Sequence, residues 1–403
     1  MDKDFRAAGH SWRLHCGPQV IEERLKEAVV RAGAKRAFVI CSPSINRRTD
    51  VVRRIATSLG ERYAGVFDGI QKDCPYPNVC VAKDAAVAAG ADLLIAVGGG
   101  SVIVATRAVA IFLGERGDPF EIMTQYPEGR PAFSPRLLAP KLPIVNIPTT
   151  PTSAMNRAGT GLRNDDLDHR MEYFDPKTRP QAILLDHGAL SATPRDVLRS
   201  TATTILASAV GAMAQIDVNP LVEGDRNQAF RLAQRAYTRL ADGHDDTGLR
   251  VDLCVAAFLH NRAEDDGGRT FRSATFSGDY AVSTALHVHY PHVGQGESTS
   301  VVQATKIRLA ETIDPRSARQ VAEAVGVWRD GMDGRQAAFA VADTLENLYG
   351  RAGLPIRLRE LRIPREDLAL IANRTVKNFN ANAGARSAEE QVASAARLLE
   401  AAY

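Results

Sequence analysis

The sequence predicts an α/β domain built on a parallel sheet, followed by a domain made almost entirely of helices. Short apolar runs alternate with helical segments over the first half of the chain. One of these runs ends in a glycine-rich turn, and strand patterns nearly vanish after Thr193. Alternation of strands and helices is typical of a doubly wound parallel sheet, which binds its ligands beyond the carboxyl ends of the strands.

The predicted strands are short apolar runs of the kind that a parallel sheet buries on both faces. A helix over about 19–32 precedes the first of them, and a helix over 78–90 leads into the central one. In chain order the strands are predicted at residues 37–41, 65–68, 93–97, 144–148 and 181–186. These elements indicate a Rossmann-like first domain that spans residues 1–190.

The second predicted domain spans residues 191–403 and has helical periodicity along most of its length. The segments with this periodicity are 194–214, 226–241, 248–263, 300–311, 315–327, 334–351 and 387–402. Stretches rich in glycine and aspartate at 243–248 and 265–268 indicate loops between these helices. In the first domain, the polar residues 164–170 indicate the loop of a β-hairpin.

Composition narrows the class of protein. A chain of 403 residues is long enough for two domains, and 24% charged with 45% hydrophobic residues is ordinary for a globular protein. The net charge of +3 comes without a dense block of lysine and arginine, so we expect no nucleic-acid partner. No apolar run reaches the roughly 18 residues that span a bilayer. Five irregularly spaced cysteines and the lack of a leader pattern predict a cytoplasmic protein without a membrane partner.

The glycine turn is the most informative motif. Gly98, Gly99 and Gly100 follow an apolar strand and lead directly into a helical segment. Glycines let the backbone approach a phosphate closely, and the N–H groups of the first helical turn point towards it. Ser101 could cap that helix or donate a hydrogen bond to the phosphate. The turn therefore predicts a binding site for the pyrophosphate of a dinucleotide.

Four segments in the same order resemble those of iron-containing (group III) alcohol dehydrogenases. Residues 98–103 resemble the glycine motif of that family, and residues 146–150, Asn-Ile-Pro-Thr-Thr, resemble its Pro-Thr-Thr turn. Residues 182–186 are similar to the strand before its helical domain, and residues 353–361 to a helix junction near its end. Maleylacetate reductases and dehydroquinate synthase-like proteins share the architecture. The resemblance implies a dinucleotide-binding domain followed by a helical substrate domain.

The resemblance also implies a nicotinamide cofactor, either NAD or NADP, with its pyrophosphate on the glycine turn and its nicotinamide beside the Pro-Thr-Thr turn. The residues assigned to the cofactor in this way are Ser42, Gly98, Gly99, Gly100, Ser101, Thr149, Thr150 and Ser153. Ser42 stands where the family usually has an acidic residue that accepts the ribose 2′-hydroxyl. Because no carboxylate at this position repels a 2′-phosphate, the sequence predicts that NADPH is accepted at least as well as NADH.

The metal ligands of the family are missing. Its members usually hold a divalent metal with one aspartate and three histidines of the helical domain. The corresponding positions here are Thr204, Ser208, Ser283 and Gln295. Hydroxyls and an amide are poor ligands for Fe²⁺ or Zn²⁺. We therefore predict a metal-independent protein without metal-binding residues.

His287, His289 and His292 form the densest group of histidines in the sequence. They could act in acid/base chemistry, they could pack around a proline turn, or they could form a new metal site. The family keeps a histidine in this region beyond its metal ligands, and His287 is the nearest match. We assign the catalytic role to His287 and His292.

The functional prediction is an NAD(P)-dependent oxidoreductase that interconverts a hydroxyl and a carbonyl on a small or carboxylate-bearing substrate. A second hypothesis is oxidative decarboxylation of a β-hydroxy acid, such as a peptide C-terminal threonine in natural-product tailoring. A dehydroquinate synthase-like lyase and a non-catalytic binding subunit are the third and fourth hypotheses. The expected partners are accordingly a small-molecule or peptide substrate and a second copy of the chain in a homodimer.

Overall fold

The computed structural model describes residues 5–128, 130–265, 275–378 and 387–403. The chain divides into two compact units. The first is His10–Pro194, and the second is Arg195–Tyr403 together with residues 5–9.

In the described part of the first unit, six parallel strands form one sheet with the order β1-β8-β5-β4-β2-β3. Its strands are β1 (Arg13–Gly17), β2 (Ala37–Cys41), β3 (Tyr63–Phe67), β4 (Leu93–Gly98), β5 (Ile144–Pro148) and β8 (Ala182–Asp186). In the segment of the chain that connects β5 to β8, β6 (Gly159–Leu162) and β7 (Met171–Phe174) form a separate antiparallel hairpin. The predicted fold class is confirmed, and so is the hairpin loop predicted at 164–170.

Helices connect the parallel strands. They are α1 (Val20–Arg31), α2 (Pro43–Arg48), α3 (Val51–Leu59), α4 (Tyr76–Ala88), α5 (Gly100–Gly114), α6 (Pro119–Ile122) and α7 (His187–Ser191). Every residue of β2, β4, β5 and β8 is buried, which explains their unbroken apolar sequences. Ile21 and Leu25 of α1 and Ile55 of α3 belong to the same apolar core as Val39 and Ile95 of the sheet.

Sequence reasoning missed β1. Its sequence, Arg-Leu-His-Cys-Gly, has no apolar run, and its residues are exposed or half-buried. The strand lies at the edge of the sheet and pairs in parallel only with β8, where Gly17 is the partner of Asp186. An edge strand needs little apolar surface, so hydrophobic patterning carries no signal for it.

The described part of the second unit contains helices and no strand. The helices are α8 (Arg195–Met213), α9 (Pro220–Ala241), α10 (Thr247–Asp265), α11 (Tyr280–His289), α12 (Gln295–Leu309), α13 (Pro315–Val325), α14 (Gly334–Arg351), α15 (Leu368–Asn373) and α16 (Ala388–Ala402). Among the described residues, no helix combines the length and the apolar character that crossing a bilayer requires.

Two helix starts in the second unit differ from the predictions by five residues or more. Helix α9 begins at Pro220 because the Asn219 side chain accepts hydrogen bonds from the N–H groups of Leu221 and Val222. Helix α12 begins at Gln295, five residues before the predicted start at 300. Its first turns are polar in sequence yet largely buried, so apolar periodicity could not reveal them. Of the loop predicted at 265–268, residues 266–268 lie outside the described residues.

Candidate functional site

The glycine turn joins β4 to α5 at the carboxyl edge of the sheet. Helix α5 begins at Gly100 and has no acidic residue in its first turn. A Cβ atom on Gly98 would lie 2.6 Å from Val102 Cγ2, and one on Gly99 would lie 3.0 Å from Thr150 Cγ2. The turn therefore has no room for larger residues. Because the first N–H groups of a helix lack acceptors within it, this turn fits the pyrophosphate of a dinucleotide.

Ser101 does not cap α5, so that part of the prediction is wrong. The helix begins one residue earlier, which places Ser101 inside its first turn. The Ser101 hydroxyl accepts a hydrogen bond of 3.1 Å from the N–H of Asp73, whose φ of 60° lies in the left-handed region. Ser101 thus anchors the segment between β3 and α4, while its donation to a phosphate stays a prediction.

The Pro-Thr-Thr turn lies beside the glycine turn. Gly98 and Pro148 are partners in the β4–β5 ladder, and the N–H of Thr149 donates to the Gly98 carbonyl at 3.1 Å. The Thr193 hydroxyl donates to the Thr149 carbonyl at 2.6 Å. Thr149 and Thr150 are buried. The fold thus brings these predicted cofactor residues next to the glycine turn.

Ser153 lies further along the same loop and is half-buried. Two buried side chains hold this loop in place. Arg107 of α5 donates to the carbonyls of Ala154 and Gly159, and the Asn146 side chain donates to the Met155 carbonyl at 2.7 Å. Fixing Ala154 and Met155 fixes the Ser153 backbone between them and the threonines.

Arg107 is fully buried without a carboxylate among its hydrogen-bond partners in the described residues. Burial lowers the pKa of Arg107 to about 9, and the neighbouring Arg157 and Arg179 add to the effect. Sequence reasoning did not assign this residue to the site. An arginine in the middle of the apolar helix α5 is the signal that could have indicated its role, because a buried cation needs acceptors.

Ser42 lies at the end of β2, immediately before α2. Its hydroxyl oxygen is 3.0 Å from that of Ser44. Asp68 follows β3, the neighbouring strand, and its carboxylate accepts a hydrogen bond of 3.1 Å from the Asn46 side chain. The structure therefore places a carboxylate at the edge of the sheet where Ser42 lies, although Ser42 itself carries none.

In the helical unit, the positions assigned to metal ligands carry hydroxyl and amide groups with different surroundings. The Thr204 hydroxyl donates to the Thr201 carbonyl at 2.8 Å. The Ser283 hydroxyl lies 2.6 Å from that of Ser298 and 3.2 Å from that of Thr299. Ser208 is half-buried, and Gln295 is exposed. The contacts of Ser283 connect α11 to α12 through hydroxyl groups.

This donor set does not fit the divalent metal of the family. Neutral hydroxyls and one amide bind Fe²⁺ or Zn²⁺ poorly. Across residues 5–128, 130–265, 275–378 and 387–403, no three histidine, cysteine, aspartate or glutamate side chains are grouped so that they could hold a metal ion.

Ser200 and Glu297 join α8 to the start of α12. The Ser200 hydroxyl donates to the Glu297 carboxylate at 2.5 Å and accepts from the N–H of Gly296 at 3.1 Å. A Cβ atom on Gly296 would lie 2.1 Å from the Ser200 carbonyl oxygen, so this approach requires glycine. The two hydrogen bonds engage the Glu297 carboxylate and the Gly296 N–H, which both belong to the first turn of α12. The pair fixes the end of the segment that carries the histidines.

The histidines have different environments. His287 is buried in α11, and its Nδ1 lies 2.8 Å from the Ser283 carbonyl. Because a carbonyl only accepts, Nδ1 carries a proton, and Nε2 is the atom that can gain or lose one. His292 is exposed, and its Nε2 donates to the Leu361 carbonyl at 2.9 Å. Burial lowers the pKa of His289, and the nearby Arg374 adds to this effect.

These environments distinguish the two predicted catalytic histidines. The hydrogen bond from Nδ1 of His287 fixes the tautomer of the neutral ring, so the predicted proton exchange would take place at Nε2. The hydrogen bond of His292 ties the α11–α12 connection to the turn that ends at Leu361. We therefore retain both as catalytic predictions and expect the larger role for His287.

A dinucleotide-binding parallel sheet, followed along the chain by a helical unit, defines a class of nicotinamide-dependent oxidoreductases. The chain belongs to the iron-containing alcohol dehydrogenase family. The family model described as iron-containing alcohol dehydrogenase matches residues 12–187, and the model of the C-terminal region of Fe-containing alcohol dehydrogenases matches residues 200–403. The protein is accordingly an enzyme of the alcohol dehydrogenase and reductase type.

Individual relatives support this membership. Maleylacetate reductase 2 of Cupriavidus pinatubonensis is 29% identical over 237 residues, which are 59% of this chain and 57% of the reductase. The 1,3-propanediol dehydrogenase of Citrobacter freundii is 24% identical over 92% of both chains. The structure of NADH-dependent butanol dehydrogenase A from Thermotoga maritima superposes with a TM-score of 0.83 at 16% identity, covering 99% of this chain and 98% of the other. The last comparison supports the fold.

Proposed function

We propose that this protein is an NAD(P)-dependent oxidoreductase that interconverts a hydroxyl and a carbonyl on a small, carboxylate-bearing substrate without a metal ion. The proposal is supported by the residues at the expected ligand positions, Thr204, Ser208, Ser283 and Gln295, which carry neither carboxylate nor imidazole, in a family whose glycine turn this chain keeps. A protein that lost its metal but kept its cofactor site needs another group to stabilise the substrate oxygen.

The first unit supplies the cofactor site. The N–H groups after Gly98 bind the pyrophosphate, and Thr149 and Thr150 orient the nicotinamide half. Arg107 holds the loop that carries these threonines through the carbonyls of Ala154 and Gly159. When bound, the nicotinamide supplies or accepts the hydride.

The second unit supplies the proton. In the reducing direction, protonated His287 donates from Nε2 to the carbonyl oxygen of the substrate, and in the oxidising direction neutral His287 accepts the hydroxyl proton. The Ser283 carbonyl holds Nδ1–H in both directions, so the ring keeps its orientation. The hydroxyl groups around Ser283 are weaker candidates, because they carry no charge and do not titrate near neutral pH.

The similarity to maleylacetate reductase 2 supports a carboxylate-bearing substrate, since maleylacetate carries carboxylates. Because this relative is a reductase, we rank the lyase and the non-catalytic subunit as less well supported than an oxidoreductase. Oxidation of a β-hydroxy acid remains compatible with the same residues, because it uses the same hydride and proton transfers before decarboxylation.

A titration followed by an activity assay tests the proposal. We expect saturable binding of NADH or NADPH, measured by the fluorescence of the reduced nicotinamide. We further expect a keto acid to oxidise the bound NADH or NADPH, with a higher kcat/KM than the methyl ester of the same acid. The ester is the matched control because it removes the negative charge and otherwise adds only one methyl group. Absence of binding for both dinucleotides would refute the oxidoreductase and favour a non-catalytic subunit.

A further inference from the structure

Asp68 is a charged residue beside the end of β2 to which no role has been assigned so far. Ile40 of β2 and Phe67 of β3 are partners in the parallel ladder, so the next residues, Cys41 and Asp68, follow side by side. The N–H of Ile70 donates to the Cys41 carbonyl at 3.3 Å, which draws the segment after β3 against β2. Neighbouring strands are about 5 Å apart, so Asp68 lies about one strand spacing from the end of β2.

The Asp68 carboxylate contacts two side chains of α2 and is still partly exposed to solvent. Its Oδ2 accepts from the Asn46 side chain at 3.1 Å and lies 3.7 Å from Arg47 Nε. The Asp68 side chain is 31% exposed, whereas that of Arg47 is 73% exposed. Such an exposed ion pair contributes little energy and is readily broken. Burial raises the pKa of the Cys41 thiol to about 12, and the Asp68 charge adds to this effect, as expected for a carboxylate close to β2.

The order of the strands indicates which part of a dinucleotide would reach Asp68. The glycine turn follows β4, which lies between β5 on one side and β2 on the other. Thr149 and Thr150 follow β5, so the nicotinamide half extends to that side. The adenosine half then extends in the opposite direction, across the carboxyl ends of β2 and β3, where Ser42 and Asp68 lie.

We propose that Asp68 selects a dinucleotide with a free ribose 2′-hydroxyl, so that the protein prefers NAD(H) to NADP(H). This inference rests on the proposed function. A carboxylate accepts a hydrogen bond from the 2′-hydroxyl and repels a 2′-phosphate. The expectation drawn from Ser42, that NADPH is accepted at least as well, considered only the strand on which the family carries its acidic residue.

Because Arg47 lies beside Asp68, substitution of Asp68 should shift the cofactor preference towards NADP(H). The Arg47 guanidinium faces the Asp68 carboxylate, and it would face a 2′-phosphate equally well once that carboxylate is neutral. Neutralising Asp68 should therefore weaken NADH binding through loss of one hydrogen bond and strengthen NADPH binding through the released Arg47.

The experiment is a fluorescence titration of the full chain with NADH and with NADPH. We expect the wild-type protein to bind NADH at least tenfold more tightly. Asp68→Asn should reduce this ratio at least tenfold, and Asp68→Asn combined with Arg47→Ala should lose the gained affinity for NADPH. Asp84→Asn is the matched control, since Asp84 is an exposed carboxylate on α4 paired with Lys83, and it should leave the ratio unchanged.

The outcomes separate this inference from the proposed function. Equal or tighter binding of NADPH by the wild-type protein, or an unchanged ratio in Asp68→Asn, would overturn the role of Asp68 while leaving the oxidoreductase intact. Failure of both dinucleotides to bind would overturn the proposed function itself, and this inference with it.

Discussion

Replacing His287 with asparagine should lower kcat by about 10²–10⁴-fold, the usual contribution of a general acid. Asparagine can keep a hydrogen bond to the Ser283 carbonyl, but it has no group that exchanges a proton near neutral pH. The affinity for the dinucleotide should stay unchanged, because the predicted cofactor residues all lie in the first unit. Steady-state kinetics with a parallel NADH titration measure both quantities.

The pH profile distinguishes a catalytic His287 from a structural one. If His287 donates the proton, the pH dependence of the rate of carbonyl reduction changes in His287→Asn. His289→Asn is the control, and His292→Asn tests the second predicted catalytic histidine; the melting temperature of each variant reports its folding. If only His292→Asn lowers kcat, the acid is His292. Wild-type rates in all three variants would show that these histidines are structural.

Gly99→Val should abolish dinucleotide binding, with a loss of affinity of about a hundredfold or more, roughly 2.7 kcal/mol. The first atom of the new side chain would already lie 3.0 Å from Thr150 Cγ2, and the rest would occupy the space in front of the turn. Gly350→Val is the matched control, because a Cβ atom there meets nothing within 4 Å. Circular dichroism and the melting temperature report whether the fold survives.

A second variant distinguishes a loss of dinucleotide binding from a loss of folding. Gly99→Ala adds a single methyl group at the same position, so it should weaken binding with a smaller effect on stability. Unchanged affinity for NADH and NADPH in folded Gly99→Val would mean that the glycine turn does not bind the pyrophosphate.

Patterns that depend on burial could be predicted from the sequence. The strands β2, β4, β5 and β8 are buried throughout, so their apolar runs reveal them. The glycine turn stands out because its glycines directly follow the apolar run of β4. Strand β1 and the start of α12 could not be predicted in this way, because one is polar at an edge and the other is buried through polar contacts.

The site was predictable where motifs are contiguous and not where it depends on packing between elements. Gly98 and Thr149 are each recognised within one short motif, and the fold brings them together through the β4–β5 ladder. The role of Arg107 depends on carbonyls about fifty residues away, and that of Asp68 depends on the register between β2 and β3. Neither relation can be read from local sequence.

The measurement that tests the central claim most directly is the turnover rate of protein treated with a chelator, with its iron and zinc content determined on the same sample. We predict less than stoichiometric metal before treatment and an unchanged kcat after it, because hydroxyls and an amide occupy the ligand positions. One tightly held metal ion per chain, with activity lost on chelation and restored by Fe²⁺ or Zn²⁺, would contradict metal-independent catalysis.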